Sequence, residues 1–466
     1  MDMLTFTLNP EDKTPLYHQL YTYIKTEIQA GKIPYQTKLP SKRKLSDYLK
    51  ISQNTIQAAY DQLIEEGYIF PLERKGFFVN QIDILKKLTV PTDHDIPINK
   101  LKHPSVRYDF SYHGVDTPTF PYSIWRKLMK EVISEYDTEL LIQSDSLGNL
   151  QLRNAISNYL HQSRGVNCSA KQIIISSGTE ILFQSLIQLF DRDSIYGIEN
   201  PGYEKLNQLF TSNRANFKAI AIDRMGMLPD EVRKNGANIL CITPAHQFPS
   251  GEIMPINRRM QLLNFANEAP GRYLIEDDYD SEFKYSGKPV PALQGLDTNE
   301  KVIYMGSLSK SLSPTIRVSY MVLPLHLMKR YHEKLSFILC PVPIMEQKVL
   351  CRFMNEGFFE RHLNKMRNIY KKKRDILVKC LLDLNCPIQI SGADAGLHLL
   401  LSVHNEMTED QLIFAALKKG IKVYGLSKYY LDYSYFDIAP TILIGYATMQ
   451  EKDIINAVQL LSEAWF

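Results

Sequence analysis

The sequence predicts an α/β protein in three parts: a winged helix-turn-helix head over residues 1–80, a large domain with a mostly parallel sheet from 108 to about 335, and a small α+β domain over about 340–466. Three observations lead there. Beyond residue 108, short apolar runs alternate with helical patterns, the βαβ signature of a largely parallel sheet. The first eighty residues instead carry three helical stripes followed by two β-like runs. Between the two, residues 81–107 lose periodicity and carry Pro91, Pro97 and Pro104, the composition of a linker.

Composition bounds the class. A chain of 466 residues supports two or three domains, and 44% hydrophobic with 23% charged residues is ordinary for a globular protein. No run of about eighteen apolar residues occurs, and the start Met1-Asp2-Met3-Leu4 lacks the basic-then-apolar pattern of a secretory leader. A cytoplasmic protein without membrane contact is expected. The six cysteines, at 168, 241, 340, 351, 380 and 386, show no C-x-x-C spacing, which fits free thiols and no zinc site. A net charge of +3 neither demands nor excludes nucleic acid, so local charge decides.

In the head, Leu16, Leu20, Ile24 and Ile28 form one stripe of a first helix ending near Gly31. Ser41 caps a second helix with apolar positions Leu45, Tyr48 and Leu49, and Ser52 caps a third after the turn Lys50-Ile51. Ile56, Ala59, Tyr60, Leu63 and Ile64 make the buried face of that third helix, which leaves Gln53, Asn54 and Thr55 exposed at its first turn. Two short helices with hydrogen-bonding side chains at the start of the second is the arrangement that reads base edges, and residues 68–70 and 77–79 add a hairpin wing. Residues 1–80 hold ten Lys/Arg against nine Asp/Glu, but Lys38, Lys42, Arg43, Lys44 and Lys50 cluster around a lone Asp47. Such a cluster suits phosphate contacts; it equally suits a solvated helix face. The stretch from Lys38 to Val79 resembles the winged helix of GntR regulators. That resemblance implies double-stranded DNA as partner, with Lys42, Arg43, Gln53, Asn54, Thr55 and Gln57 on it and Lys75 and Gly76 at the wing tip. Many relatives carry arginine where Gln53 and Gln57 stand, so a different operator sequence is expected.

In the body the clearest strands are 173–175, 194–198, 237–242, 273–275 and 302–305. The last leads into Ser307-Leu308-Ser309-Lys310-Ser311 and on to Arg317, which presents a lysine at the C-terminal end of a buried strand, where open α/β sheets bind ligands. A lysine in a partly apolar pocket loses its proton readily and attacks carbonyls, while Ser307, Ser309 and the Arg317 fork suit a phosphate. Taken alone, this is also the composition of a solvated loop. The run resembles the Schiff-base segment of fold-type-I pyridoxal 5'-phosphate (PLP) proteins, the aminotransferase superfamily. The resemblance makes Lys310 the lysine joined to PLP. It puts Gly178 and Thr179, at the start of a helix after strand 173–175, on the phosphate, where unpaired N–H groups favour anions. It sets Asp277 against the ring nitrogen and Tyr279 against the ring hydroxyl. Tyr203, in the turn Asn200-Pro201-Gly202, is either a cofactor contact or core packing. Phe248 stands where aminotransferases use an asparagine, and His246 nearby reads as structural. The acidic run 276–280 also suits solvation or a metal; no metal is expected, because no histidine accompanies it in sequence.

A helical pattern over 363–384 and strands near 388–390, 397–401 and 442–444 fit the small domain, with the basic run 371–374 read as a solvated face or an auxiliary DNA contact. Winged helix, linker and aminotransferase-like body together resemble the MocR subfamily of GntR regulators. The resemblance implies a PLP-binding transcriptional regulator rather than an enzyme, and a head-to-tail homodimer. A linker of about 25 residues reaches on the order of 80 Å, which permits that exchange. Leu443 occupies the place of the aminotransferase arginine that holds the substrate carboxylate. Lys205 and Lys428 stand at the positions left to hold an effector acid, and lysine lacks the bidentate fork. Control of vitamin B6 synthesis genes with PLP as effector is therefore expected. An amine- or amino-acid-responsive regulator, of the γ-aminobutyrate (GABA) kind, and an aminotransferase bearing a DNA-binding head are the alternatives.

Overall fold

The computed structural model describes residues 8–82, 106–134, 138–142, 145–285, 290–431 and 439–466. The chain divides into two compact units, residues 1–100 and 101–466. Of the predicted linker, only Gln81, Ile82, Val106 and Arg107 fall among the described residues.

The first unit has helices α1 (Leu16–Gln29), α2 (Lys42–Leu49) and α3 (Gln53–Glu65), then strands β1 (Ile69–Leu72) and β2 (Gly76–Val79). Ser41 and Ser52 cap α2 and α3 by accepting from the N–H groups of Lys44 and Thr55. Lys50 closes α2 in the left-handed conformation at φ 52°, which turns the chain sharply into α3. Leu20, Ile24, Leu45, Ile56, Tyr60 and Leu63 are all fully buried in one core. Four side chains depart from the predicted stripes: Tyr48 is exposed, and Leu16, Leu49 and Ile64 are only half-buried. The two-turn α2 fully buries Leu45 alone; Leu49 packs partly against the same core, and Tyr48 is left outside it. The wing pairs antiparallel from Ile69↔Val79 to Leu72↔Gly76.

Among the described residues the second unit contains an eight-stranded sheet, a four-stranded sheet and one two-stranded pairing. Strands β3 (Tyr108–Asp109), β4 (Ile173–Ser176), β5 (Ile195–Asn200), β6 (Asn216–Asp223), β7 (Gly226–Met227), β8 (Ile239–Ile242), β9 (Tyr273–Asp278), β10 (Val302–Ser307) and β11 (Ser319–Val322) come first in the chain. All but β3 form an eight-stranded sheet in the order β4-β11-β10-β9-β8-β5-β6-β7. Neighbours from β10 to β6 are parallel, and β11 runs against both β10 and β4. Sequence patterning located five of these strands but not β3, β6, β7 or β11: β3 and β7 are two residues each, and polar residues interrupt β6 and open β11. It also ended β9 and β10 early, because pairing continues through Met305↔Asp277 and Gly306↔Asp278.

Strands β12 (Ile388–Ser391), β13 (His398–Val403), β14 (Ile421–Lys422), β15 (Tyr424–Gly425) and β16 (Thr441–Gly445) follow. Four make an antiparallel sheet ordered β12-β13-β16-β15, and β14 pairs with β3. Around the boundary expected near 340 the chain contributes to both cores. Val349, Leu350, Phe353, Phe359 and Leu363 pack into a core with β4 and β11 residues, whereas Tyr108 and Phe110 pack with the small sheet. The helix Phe358–Asp383 is 26 residues long, so its first turns cover one core and its later turns the other. Within the basic run, Lys373 is not a solvated group. It is buried, pairs with Asp116 at 3.0 Å and donates to the Ala447 carbonyl at 2.8 Å. All six cysteines are free, and no helix among the described residues is long and apolar enough to cross a membrane.

Candidate functional site

A cavity of about 350 Å³ opens at the C-terminal ends of the parallel strands. Gly178, Thr179, Tyr203, Asp277, Tyr279, Ser307, Ser309, Lys310 and Arg317, each singled out from sequence, all line it, as does Lys205. The sheet explains the convergence: β4, β9 and β10 are parallel, so residues just past their last apolar position meet at one rim.

After β4 the chain passes through Gly178, at φ 96°, into α6 (Thr179–Leu189), the helices α4 (Tyr122–Ser134) and α5 (Leu150–Arg164) lying between α3 and it. The positive φ favours glycine here, and a Cβ would also displace the Arg317 guanidinium, whose Nη2 lies 2.1 Å from its place. Arg317 itself is in the left-handed region at φ 54°, and its guanidinium donates to Glu180 Oε2 at 2.9 Å. The Ser307 hydroxyl donates to Ser309 Oγ at 3.0 Å and accepts from Ser319 Oγ at 3.2 Å. Guanidinium, hydroxyls and a helix start thus face one end of the cavity, a set that fits a phosphate.

Lys310 donates from Nζ to the Tyr112 carbonyl. Burial lowers its pKa to about 8, against a smaller opposing pull from Asp280. Asp277 lines the same cavity; burial, then Asp278 and Asp280, raise its carboxyl to about 7, and its Oδ1 has no hydrogen-bond partner. An orphaned buried carboxylate oxygen wants a cation or N–H, which a protonated pyridine nitrogen supplies. The Tyr279 hydroxyl lies 3.0 Å from His246 Nδ1. Tyr203 packs edge-on against Phe248 at 5.9 Å, so its ring both packs and faces the cavity. A lysine of lowered pKa, an orphaned carboxylate oxygen and a phosphate cradle fit PLP.

The two effector lysines differ. Lys205 lines the cavity and lies 3.9 Å from Glu180 Oε1. Lys428 is not among the lining residues; its ammonium sits over the rings of Tyr429, Tyr424 and Tyr112 at 4.7, 4.9 and 5.7 Å. Sequence reading missed Tyr112 and His113, which carry no motif. They reach the cavity because β3 pairs with β14 and the following residues cross Gly445, where a Cβ would meet the Ser111 carbonyl at 2.4 Å. Burial, with Lys310, Lys205, Lys428 and Lys422, lowers the His113 pKa to about 4, so its ring is neutral near pH 7. Although no histidine accompanies the acidic run in sequence, two do in space: His246 and His398 both pack beside Asp280.

In the head, Arg43, Gln53, Asn54 and Lys75 are exposed. Thr55 is half-buried, its hydroxyl 2.9 Å from Ser52 Oγ. Lys42 Nζ donates to Gln57 Oε1, whose amide in turn donates to Asp61, so these two predicted contacts are tied to each other. Gly76 takes φ 104° at the wing turn.

Fold and site together define a winged helix-turn-helix head joined to an aminotransferase-fold body. The profile described as "Aminotransferase class I and II" matches residues 109–461, and "Bacterial regulatory proteins, gntR family" matches 16–79. The chain is 41% identical to the "Uncharacterized HTH-type transcriptional regulator YdeL" of Bacillus subtilis (strain 168), covering all of both chains. It is 29% identical to the "HTH-type pyridoxine biosynthesis transcriptional regulator PdxR" of Corynebacterium glutamicum, over 92% of this chain and 91% of that one. Among solved structures, the multiple substrate aminotransferase of Thermococcus profundus superposes with a TM-score of 0.69 at 23% identity, over 78% of this chain and 91% of that one, a likeness of fold. The chain belongs to the MocR subfamily of GntR transcriptional regulators.

Proposed function

We propose that this regulator senses PLP itself, carried on Lys310, and controls vitamin B6 synthesis genes. When bound, the cofactor supplies an electrophilic aldehyde on a ring that draws electrons. The residues would hold it as follows. Lys310 offers a largely desolvated amine to the aldehyde carbon. Gly178, Thr179, Ser307, Ser309 and Arg317 take the phosphate, Asp277 the ring nitrogen, Tyr279 the ring oxygen and Tyr203 the rim beside it. The observation that carries this reading is the Asp277 carboxylate, buried, protonatable and short of one partner, in the same cavity wall as a lysine of lowered pKa.

The choice of PLP over an amine as signal is supported by the state of the acid-holding positions. Lys205 leans on Glu180, Lys428 is surrounded by tyrosine rings, and Leu443 is fully buried with Phe248 and Tyr429 in an apolar cluster. None presents a bidentate clamp, which also argues against turnover as an aminotransferase. The relative PdxR, named for pyridoxine biosynthesis, adds support. An amine- or amino-acid-responsive regulator is the second reading, favoured by Lys205 and His113 in the lining. On the DNA side, Lys42, Arg43 and Lys75 would contact phosphates, Gln53, Asn54, Thr55 and Gln57 the bases, and Gly76 would let the wing tip approach closely. The protein would act as a head-to-tail homodimer whose empty and loaded states differ in operator affinity, as any ligand-driven shift requires.

Footprinting of cofactor-free protein on the promoter of its own gene tests this, with PLP alone, GABA alone and both together. PLP alone should change affinity tenfold or more, about 1.4 kcal/mol. A footprint unmoved by PLP but altered by PLP with GABA would replace the PLP sensor with the amine-responsive regulator.

A further inference from the structure

Beside Tyr279, two buried polar side chains have no part in holding the cofactor: Asp280, which lines the cavity, and His246, which does not. His246 and Asp280 are each 2% exposed. His246 Nδ1 stands 3.0 and 2.9 Å from the two Asp280 oxygens and 3.0 Å from the Tyr279 hydroxyl. A neutral imidazole nitrogen carries either a proton or a lone pair. A lone pair on Nδ1 would face a carboxylate; a proton there is shared between that carboxylate and the phenol oxygen. Asp280 therefore selects the Nδ1–H tautomer. The other nitrogen, Nε2, has no partner among the described residues, and a buried lone pair is left unpaired more readily than a buried N–H.

The consequence falls on Tyr279. With Nδ1–H donating to it, the phenol oxygen is an acceptor on its protein side, and its own proton turns to the cavity that Tyr279 lines. Burial, then the carboxylates of Asp280, Asp277, Glu199 and Asp278, push the phenol well above its ordinary pKa, so that proton stays on. Phe248, packed edge-on to Tyr279 at 6.2 Å, offers no second donor beside it.

We infer that His246, oriented by Asp280, is a positioning residue that makes Tyr279 a one-way hydrogen-bond donor to an ionised oxygen on the ring of the bound cofactor. This rests on the assignment of PLP to Lys310. A donor aimed at that oxygen stabilises its anionic form, so the loaded chromophore titrates at lower pH than it would without the donor. The other titratable groups facing the trio are His398 on β13, Asp277 and Asp278 on β9, Glu199 on β5 and Lys310 after β10. None donates to the phenol oxygen of Tyr279 in the structure.

The rival use of the cluster is a metal ion, since His246, Asp280 and His398 each offer an atom within 4.8 Å of the others. The hydrogen bonds favour the tautomer lock. His398 Nε2 lies 3.1 Å from the Pro249 carbonyl, to which only an N–H can bond, and both Asp280 oxygens already face His246. Room is also short: a Cβ on Gly396 would lie 2.0 Å from Cε1 of His246.

The test begins by locating PLP on Lys310 through borohydride reduction and peptide mass spectrometry. The absorbance of unreduced, PLP-loaded protein is then titrated with pH for wild type, Tyr279→Phe, His246→Ala and His246→Asn, each with EDTA and with added zinc. Asparagine keeps an N–H near the place of Nδ1. Tyr279→Phe and His246→Ala should raise the midpoint by about one pH unit, the size of one hydrogen bond lost. His246→Asn should stay near wild type. An unmoved midpoint in His246→Ala, or an equal rise in His246→Asn, overturns the inference, and a midpoint that follows zinc replaces it with the metal site. Should PLP not load at Lys310, the cofactor assignment fails separately. The lock is still read in cofactor-free protein from the ¹⁵N resonances of labelled histidine, assigned by their loss in His246→Asn: a protonated Nδ1 sustains it and a protonated Nε2 overturns it.

Discussion

Removing one carboxylate, that of Glu180, should tighten the cavity's hold on phosphate groups about tenfold. Glu180 is the second residue of α6, with Oε2 2.9 Å from Arg317 Nη2 and Oε1 3.9 Å from Lys205 Nζ. Burial pushes its carboxyl up, yet its own backbone N–H, Arg317 and Lys205 win and hold it below its ordinary pKa. It therefore occupies donors that an incoming phosphate would use. Arg317 is 47% and Glu180 35% exposed, so solvent screens the pair and its rupture costs about 0.5–1 kcal/mol. Repulsion between the displaced carboxylate and a phosphate several ångströms away adds about 1 kcal/mol in water-like surroundings. The sum corresponds to roughly tenfold in affinity. Glu180→Gln keeps the length and removes the charge, at a cost to the helix start of about 0.3–1 kcal/mol. Equilibrium dialysis of cofactor-free wild type and variant against PLP and against inorganic phosphate gives the comparison. Equal or weaker binding by the variant for both ligands would show that Glu180 does not compete for this cradle.

Three further outcomes are expected. Arg43→Ala should weaken binding to all DNA and reduce the salt dependence by about one ion, whereas Gln53→Ala should change preference between operators by about 1–3 kcal/mol; mobility shifts at several salt concentrations separate the two, and unchanged binding in both refutes the assignment. With the Lys310 pKa lowered to about 8, the neutral amine grows as pH rises through 8 and levels off above it, so the rate of PLP capture should follow that midpoint, and a midpoint near 10 would show an unperturbed lysine. Asp277 has its folded pKa raised to about 7 from an unfolded value near 4, so its contribution to the stability of cofactor-free protein is fully present below about pH 4 and is lost as pH rises to 7; Asp277→Asn should flatten that fall in denaturant midpoints, and an identical slope in the variant counts against the raised pKa.

Much of the site was legible because its residues sit next to unmistakable apolar strands. Asp277, Ser307 and the Gly178-Thr179 turn are read from where hydrophobic runs stop, and parallel strands that stop together must place such residues together. Other parts depended on long-range register. Tyr112 and His113 follow a two-residue strand whose partner lies some three hundred positions away, at Ile421 and Lys422. The placement of His246 requires knowing that the loop after β8 folds over the end of β9, and the state of Lys428 depends on the distant Tyr112 as well as on its sequence neighbours Tyr424 and Tyr429. Tyr48 misled for the opposite reason: helical spacing shows which residues share a face, but not whether anything covers it.

The backward course of β11 has a mechanical consequence. Because Ser307 is paired with Ser319, the eleven residues 308–318 leave the sheet and return to it at neighbouring positions, carrying Lys310 and Arg317 between two anchored ends. On the proposed assignment of Lys310 and Arg317 to one ligand, the loop would work as a caliper: one jaw an amine, the other a guanidinium, each carried between the anchored ends. A molecule gripped by both jaws is measured end to end, and a compound shortened by its phosphate arm satisfies only one. Inserting a single residue between 310 and 317 would reset the gauge while leaving every contact residue in place.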